Sequence, residues 1–305
     1  MSGVAEMIYR IRHTTSYAYT DVVTLAHNEA RLNPRNGPWQ TAQNARFVVD
    51  PMPAFMNREH DYFGNWMNLF VLQEPHRRFV LTAHSEVTVR DPVLPYPEQT
   101  PPWEAVRDSL ASSTDQETFG AVEYCFESPY VRWSQAIRSY AVESFPPQRP
   151  LLAAALDLSR RIHHDFEYRP GATNVATPLR AVFEQRRGVC QDFAHLYIAC
   201  FRSVGLAARY VSGYLLTHPA EGQVRLIGAD ASHAWASVYC PGHGFIDIDP
   251  TNDTLVRMEH PTLAWGRDFG DVSPLKGVVL GGGAHSVQVA VTVLPAGEEA
   301  EFDSE

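Results

Sequence analysis

Between residues 7 and 89 apolar and polar positions alternate in short runs, YRIRHTTSYAY, ARFVVDP, NLFVLQE and RFVLTAHSEVTV. A period of two places every second side chain on one face, so each run predicts a half-buried β-strand. Turn chemistry separates the runs, in NPRNGP, in Asp50-Pro51-Met52-Pro53 and at Gly64-Asn65, and residues 1–91 therefore predict an antiparallel β domain. Five prolines follow within residues 92–102. Each lacks an amide donor and fixes φ, which predicts a stiff linker or extended arm and a domain boundary.

Residues 103–145 carry a mixed pattern that accommodates two helices before Phe145-Pro146-Pro147. After Pro150 the period changes, and Leu151, Ala155, Leu158 and Ile162 recur as one helical face. A second stripe, Cys190, Ala194, Tyr197 and Phe201, opens after Gly188 and stops at Gly205. Three strands are predicted at 207–216, 233–240 and 245–249, and Val287, Val289, Val291 and Val293 alternate as one more. The organisation is then a β domain at 1–91, a linker and helical segment at 92–150, a core at 151–278, and a strand with an acidic tail at 279–305.

At 305 residues, 45% of them hydrophobic and 20% charged, the chain has material for one large or two ordinary domains with real cores. Its 25 basic and 35 acidic residues give a net charge of -10, which repels a phosphate backbone and argues against a nucleic-acid partner. Glu298, Glu299, Glu301, Asp303 and Glu305 read as a solvated tail. Cys125, Cys190, Cys200 and Cys240 are too few for a disulfide scaffold and lack the CxxC spacing of structural zinc. With no apolar run after the first charges of MSGVAEMIYRIRHTT, the expectation is a cytoplasmic protein. The longest stretch free of Asp, Glu, Lys and Arg, 277–297, holds three consecutive glycines and then alternates, so it predicts a strand and no membrane span.

Chemistry concentrates in RRGVCQDFAHLYIACFRSVGLAARYVSGY, residues 186–214. A cysteine at the first turn of a helix faces free N–H groups and the positive end of the dipole, which stabilise a thiolate, so Cys190 is placed to be a nucleophile. Cys125, Cys200 and Cys240 lack that setting and are expected as small packed hydrophobes. A thiolate needs an imidazole, and the imidazole an orienting acceptor. DASHAWASVY supplies His233 at the start of a strand, and GFIDIDPTND supplies Asp249 at the end of the next.

The blocks GVCQDFAHL, HAWASVY and DIDPTND resemble the core motifs of the transglutaminase-like superfamily, papain-fold thiol enzymes built around Cys, His and Asp. The resemblance spans about residues 151–271, with YRIRHTTSYAY and DYFGN similar to the β domain that precedes this core in bacterial members, and GRDFGDVSPLKGV to their C-terminal trailer. It implies an α+β papain-like core behind the β domain, with Cys190 as nucleophile, His233 as base and Asp249 as orienting acid. The implied reaction is acyl transfer from a peptide or protein amide through a thioester, with no metal or organic cofactor. Hydrolysis by a cysteine peptidase or amidase is favoured, because the bacterial relatives include peptidase-like members and no lysine-binding acceptor site is marked. A glutamine-directed transglutaminase and a non-catalytic peptide-binding protein are the alternatives. Substrate and oligomeric state are left open.

Other residues have simpler readings. His195 lies five positions after Cys190, about 140° around the helix, and is expected to be packed or hydrogen-bonded. His163-His164-Asp165 is expected to satisfy the last carbonyls of its helix, and Gly281-Gly282-Gly283 to make a turn. Trp235 and Tyr239 share a strand face with His233, either as an apolar wall beside the base or as ordinary sheet packing. For the oxyanion, the Cys190 N–H is one donor, with Tyr168 and Asn174 as candidates in the preceding loop. Asp247 shares a face with Asp249, and hairpin geometry separates them. A two- or four-residue loop would put His233 and Asp249 on opposite faces, whereas a three- or five-residue loop, or a bulge near the glycines, sets Trp235 opposite Asp249. His233 is then diagonal to Asp249, about 7 to 8 Å away between backbones, which the two side chains can bridge.

Overall fold

The opening alternation folds as one strand of 25 residues, β1 (Glu6–Ala30), longer than its clearest sequence run. A computed structural model describes residues 5–112, 115–216 and 232–297, and the acidic tail from Glu298 lies outside them. β2 (Gln40–Asp50), β3 (Phe55–His60), β4 (Trp66–Leu72) and β5 (His76–Arg90) join β1 in the order β2-β5-β1-β4-β3. All pairings are antiparallel, as predicted, and a shift in register between Ala18 and Val23 lets β1 pair with β5 first and β4 later.

The proline-rich stretch contains a short 3-10 turn at Pro97–Gln99. Beyond it are three helices where two were expected: α1 (Trp103–Ser112), α2 (Gln116–Val122) and α3 (Gln135–Val142). The extra start has a local cause. Asp115 accepts the Thr118 N–H at 2.8 Å and Ser134 the Ile137 N–H at 3.3 Å, so each of the last two helices has its own N-cap.

The core begins with α4 (Leu151–Asp165), whose predicted face of Leu151, Ala155, Leu158 and Ile162 is fully buried. Then come β6 (Glu167–Tyr168), α5 (Leu179–Gln185), β7 (Arg187–Gly188) and α6 (Cys190–Ser203). The strands β8 (Ala208–Tyr214), β9 (Ser232–Cys240), β10 (Gly244–Asp249), β11 (Thr254–Leu255) and β12 (Thr262–Gly266) form an antiparallel sheet in the order β11-β10-β9-β8-β12. A one-face reading of α6 is too narrow. The helix lies between β8 and β9 on one side and α3, α4 and α5 on the other, and every residue from Asp192 to Ser203 is buried.

After α7 (Phe269–Val272), β13 (Leu275–Gly281) and β14 (His285–Pro295) both pair with β1. The end of the described chain thus returns to the first sheet as two strands joined by the glycine turn. The two sheets are tied at specific points. Tyr9 donates to the Met258 carbonyl at 3.0 Å, and His13 Nδ1 lies 3.0 Å from the Tyr214 hydroxyl. The DYFGN turn supplies a third tie, with Asn65 bonded to both the N–H and the C=O of Trp265 at 3.0 and 2.8 Å. No helix among the described residues is long and apolar enough to cross a membrane.

Candidate active site

Cys190 is the first residue of α6, and the chain reaches it through β7, which runs parallel to β6. Asp192 turns its carboxylate back over the helix start, accepting the Val189 N–H at 2.9 Å and the Thr173 hydroxyl at 2.6 Å. Val189 offers no side-chain acceptor, so this single reach from the third helical position closes the N-terminus. The reach depends on Gly188, where a Cβ would stand 2.8 Å from the Asp192 side chain. Burial raises the Asp192 pKa, and its two hydrogen bonds oppose that rise. Half-buried Cys190 is left beside first-turn N–H groups that have no intrahelical acceptor.

The hairpin that carries the other two residues has an odd loop. Pro241, Gly242 and His243 join the paired residues Cys240 and Gly244. The His243 N–H closes on the Cys240 carbonyl at 3.0 Å, and Gly242 and Gly244 take left-handed φ of 77° and 71°, values that glycine reaches without strain. The resulting register pairs Asp247 with Ser237 and Ile248 with Ala236. Asp249 therefore falls diagonal to His233, and Asp249 Oδ2 lies 2.7 Å from His233 Nε2. Asp247 accepts the Trp235 indole N–H at 3.1 Å instead.

The imidazole of His233 also interacts with the Cys190 thiol. Burial acts to lower the His233 pKa, but the interactions with Asp249 and Cys190 and the charges of both outweigh it and raise the pKa above the ordinary imidazole value. With Nε2 on Asp249, Nδ1 is the nitrogen left for the sulfur. Burial likewise works to raise the Asp249 pKa, and the hydrogen bonds from His233, His260 and Asn252 reverse this and hold the carboxyl well below its usual range. The structure thus brings together Cys190, His233 and Asp249, three residues from a helix start and two neighbouring strands.

Three residues that bond Asp249 were not anticipated. Asn252 Nδ2 donates to Oδ2 at 2.6 Å, while the N–H groups of Thr251 and Asn252 donate to Oδ1 at 2.9 and 3.3 Å. The DPTND block carried that signal, since an aspartate commonly accepts from N–H groups of the turn it opens. His260 Nε2 lies 3.3 Å from the same Oδ2, and nothing in sequence spacing linked this histidine to the site. His233, Asp249 and His260 offer ligand atoms within 4.8 Å of one another, the spacing of a metal site. Here both imidazoles address one carboxylate oxygen and the turn occupies the other, so hydrogen bonds already engage the set.

The remaining sequence candidates sort by their partners. His195 accepts the Phe269 N–H at 3.1 Å, is stacked on Tyr130, and has its pKa lowered to about 3 by burial, so it is a packed, neutral acceptor. His163 corrects its expectation. Its Nδ1 meets the Thr251 carbonyl at 2.8 Å, tying α4 to the Asp249 turn, while His164 pairs with Asp165. Trp235 is wholly buried, its ring 6.1 Å from that of His233 and edge-on to His260, so it walls the base, whereas Tyr239 bonds Thr118 and packs on Phe245. Asn174 Oδ1 is engaged in its own turn with Ala176 N–H at 2.9 Å. Tyr168 lies near enough to the thiol that burial first, then the charges of Cys190 and Asp249, raise its pKa. Burial pushes the Cys125, Cys200 and Cys240 thiols up to about 11, 12 and 11.

This arrangement of a helix-start cysteine, a strand histidine and a strand aspartate behind an antiparallel β domain defines a family, and sequence comparison agrees. Residues 9–88 match the bacterial transglutaminase-like N-terminal region, and residues 138–250 match the transglutaminase-like superfamily. The chain belongs to that superfamily. It is 42% identical over 296 residues to the uncharacterized protein Mb2599c of Mycobacterium bovis, covering 94% of this chain and 92% of that one. A protein-glutamine gamma-glutamyltransferase of Pseudomonas aeruginosa is 34% identical over 108 residues, which cover 34% of this chain and 16% of that protein. In fold, the chain is similar to the crystal structure of "a Putative Cysteine Protease from Cytophaga hutchinsonii", with a TM-score of 0.73 at 20% identity, over 97% of this chain and 93% of that one.

Proposed function

We propose that the protein catalyses acyl transfer from a peptide or protein amide through a thioester on Cys190, with water as the usual acceptor. The observation that carries this reading is His233 bonded at 2.7 Å to buried Asp249 while its ring interacts with the helix-start thiol. In the proposed cycle the Cys190 thiolate attacks the amide carbon beside a protonated His233. The oxyanion accepts the Cys190 N–H, and His233 gives its proton to the departing amine as the C–N bond breaks. His233, now neutral, takes a proton from water as its oxygen attacks the thioester, and C–S cleavage releases the acid and restores the thiolate beside protonated His233. Asp249 holds the ring orientation throughout.

Water needs no built site, whereas an amine must be bound in order to outrun it, and this supports hydrolysis as the first reading. The similarity to the Pseudomonas aeruginosa gamma-glutamyltransferase supports amine transfer as the second. The test is a glutamine-containing peptide incubated with a labelled primary amine, with released ammonia, new amino termini and labelled conjugate measured together. Hydrolysis predicts ammonia from the side-chain amide, or new amino termini from a cleaved peptide bond, without conjugate, and amine incorporation faster than hydrolysis overturns it. Cys190→Ala is expected to lower turnover of the same peptide by about 10³-fold or more. A mild effect there, or failure of iodoacetamide to label Cys190 near neutral pH, would favour a non-catalytic peptide-binding protein.

A further inference from the structure

With His260 in its lining, a cavity of about 360 Å³ opens between the β domain and the core sheet. Its walls are largely apolar, with Trp39, Val89, Phe245 and Val256 among them. Against these walls stand two guanidiniums. Arg35 and Arg209 both lie on the ring of Trp265, at 3.1 and 3.7 Å from its centroid.

Arg35 donates Nη1 to the Phe63 carbonyl at 3.2 Å and to Asn65 Oδ1, yet each cation keeps an unmet donor. Nε of Arg35, Nε of Arg209 and Nδ1 of His260 are buried with no hydrogen-bond partner among the described residues. His260 itself is only 6% exposed. The other charges of the lining are accounted for: Arg257 is paired with Asp91 at 2.9 Å and Arg90 with Glu6 at 3.6 Å. Asp247 is the one acidic residue of the lining, and it already accepts the Trp235 indole N–H. Asp61, near Arg35, is bonded to Arg31 at 2.8 Å. Two half-buried arginines, each with a buried Nε, against one carboxylate of the lining leave an excess of one positive charge beside apolar walls. A guanidinium does not shed its proton at such a site, so the stable solution is an anion.

We propose that this cavity binds a small monocarboxylate with an apolar body, its carboxylate between Arg35 and Arg209 and its body on the apolar wall. The planar fork of arginine suits a carboxylate, and one negative charge matches the excess. Burial, with mutual repulsion second for Arg35, lowers the Arg35 pKa to about 9, and burial lowers that of Arg209 to about 10, both in keeping with cations lacking a counter-ion. The volume lies in the range of small-molecule sites.

The test is calorimetric titration of the whole protein with benzoate and indole-3-acetate, with benzamide, indole-3-acetamide and inorganic phosphate as comparisons. A carboxylate is expected to bind, and its neutral amide to bind at least about tenfold more weakly, as loss of charge-assisted hydrogen bonds implies. Arg209→Met should remove carboxylate binding. Should that variant not fold, Gly37→Leu serves: Gly37 lines the cavity and a Cβ there meets no atom within 4 Å, so the fold should stand while the space fills. The proposal is overturned if neither carboxylate binds below about 1 mM. It is equally overturned if amide or phosphate binds as tightly as the carboxylate, or if a folded variant binds like the parent. Because the readout is binding, the result is independent of whether Cys190 turns over an amide.

Discussion

His233 carries the electrostatic consequence that bears most directly on the chemistry. Its raised pKa keeps it protonated beside the thiol beyond the usual imidazole range, so the alkaline limb of kcat/KM is expected above about pH 6.5. Asp249→Asn removes the acceptor charge, and the limb should then move to lower pH while kcat/KM falls by about 10²-fold or more. An unmoved limb would mean that Asp249 does not govern the proton on His233. The same shift bears on folding. A histidine whose pKa is raised in the folded state contributes stability that is full below its unfolded value of about 6.5 and is lost as pH rises through the folded one.

Among the elements, the start of α6 decides where the sulfur sits. The Asp192 carboxylate is the cap, and Gly188 is the space it needs. Asp192→Ala should cost about 1 to 2 kcal/mol, the range for a lost N-cap, read as a lower urea midpoint at unchanged slope. Activity should fall as well, because the Val189 N–H is left without its acceptor immediately before Cys190. The β9–β10 hairpin plays the matching part for the other two residues. Its three-residue loop sets the register that puts Asp249 rather than Asp247 against His233.

For the whole molecule, the tie between sheets and the buried histidines dominate. Asn65 is completely buried and satisfies both backbone groups of Trp265. Asn65→Ala strands them, and a loss of about 2 to 4 kcal/mol is expected in chemical denaturation. Burial lowers the pKa of His13 to about 4 and that of His195 to about 3. Below pH 6.5 the unfolded chain takes up protons that the folded chain refuses, so stability falls with falling pH, by about 1.4 kcal/mol per unit for each histidine until its folded pKa is reached. Asp249, with its lowered pKa, adds to the loss only below about pH 4. Stability measured from pH 7 to 4 should show this slope, and His13→Gln should reduce it; an equal slope in the variant would locate the protons elsewhere.

Local periodicity was enough to reveal the β domain, the buried face of α4, the helix start at Cys190 and the strands of His233 and Asp249, because each depends on spacing within one element. Hairpin arithmetic reached one step further, to the diagonal pairing of His233 with Asp249, since loop parity fixes which residues share a face. The all-round burial of α6, the return of β13 and β14 to β1, and the approach of His260 to Asp249 were not legible. These depend on which elements meet, and residues 11 or more positions apart with no common period leave no trace of that in the chain. The arginine-lined cavity is the extreme case. Arg35 and Arg209 lie in different sheets' surroundings, and only the packing of the β domain against the core sets both on Trp265.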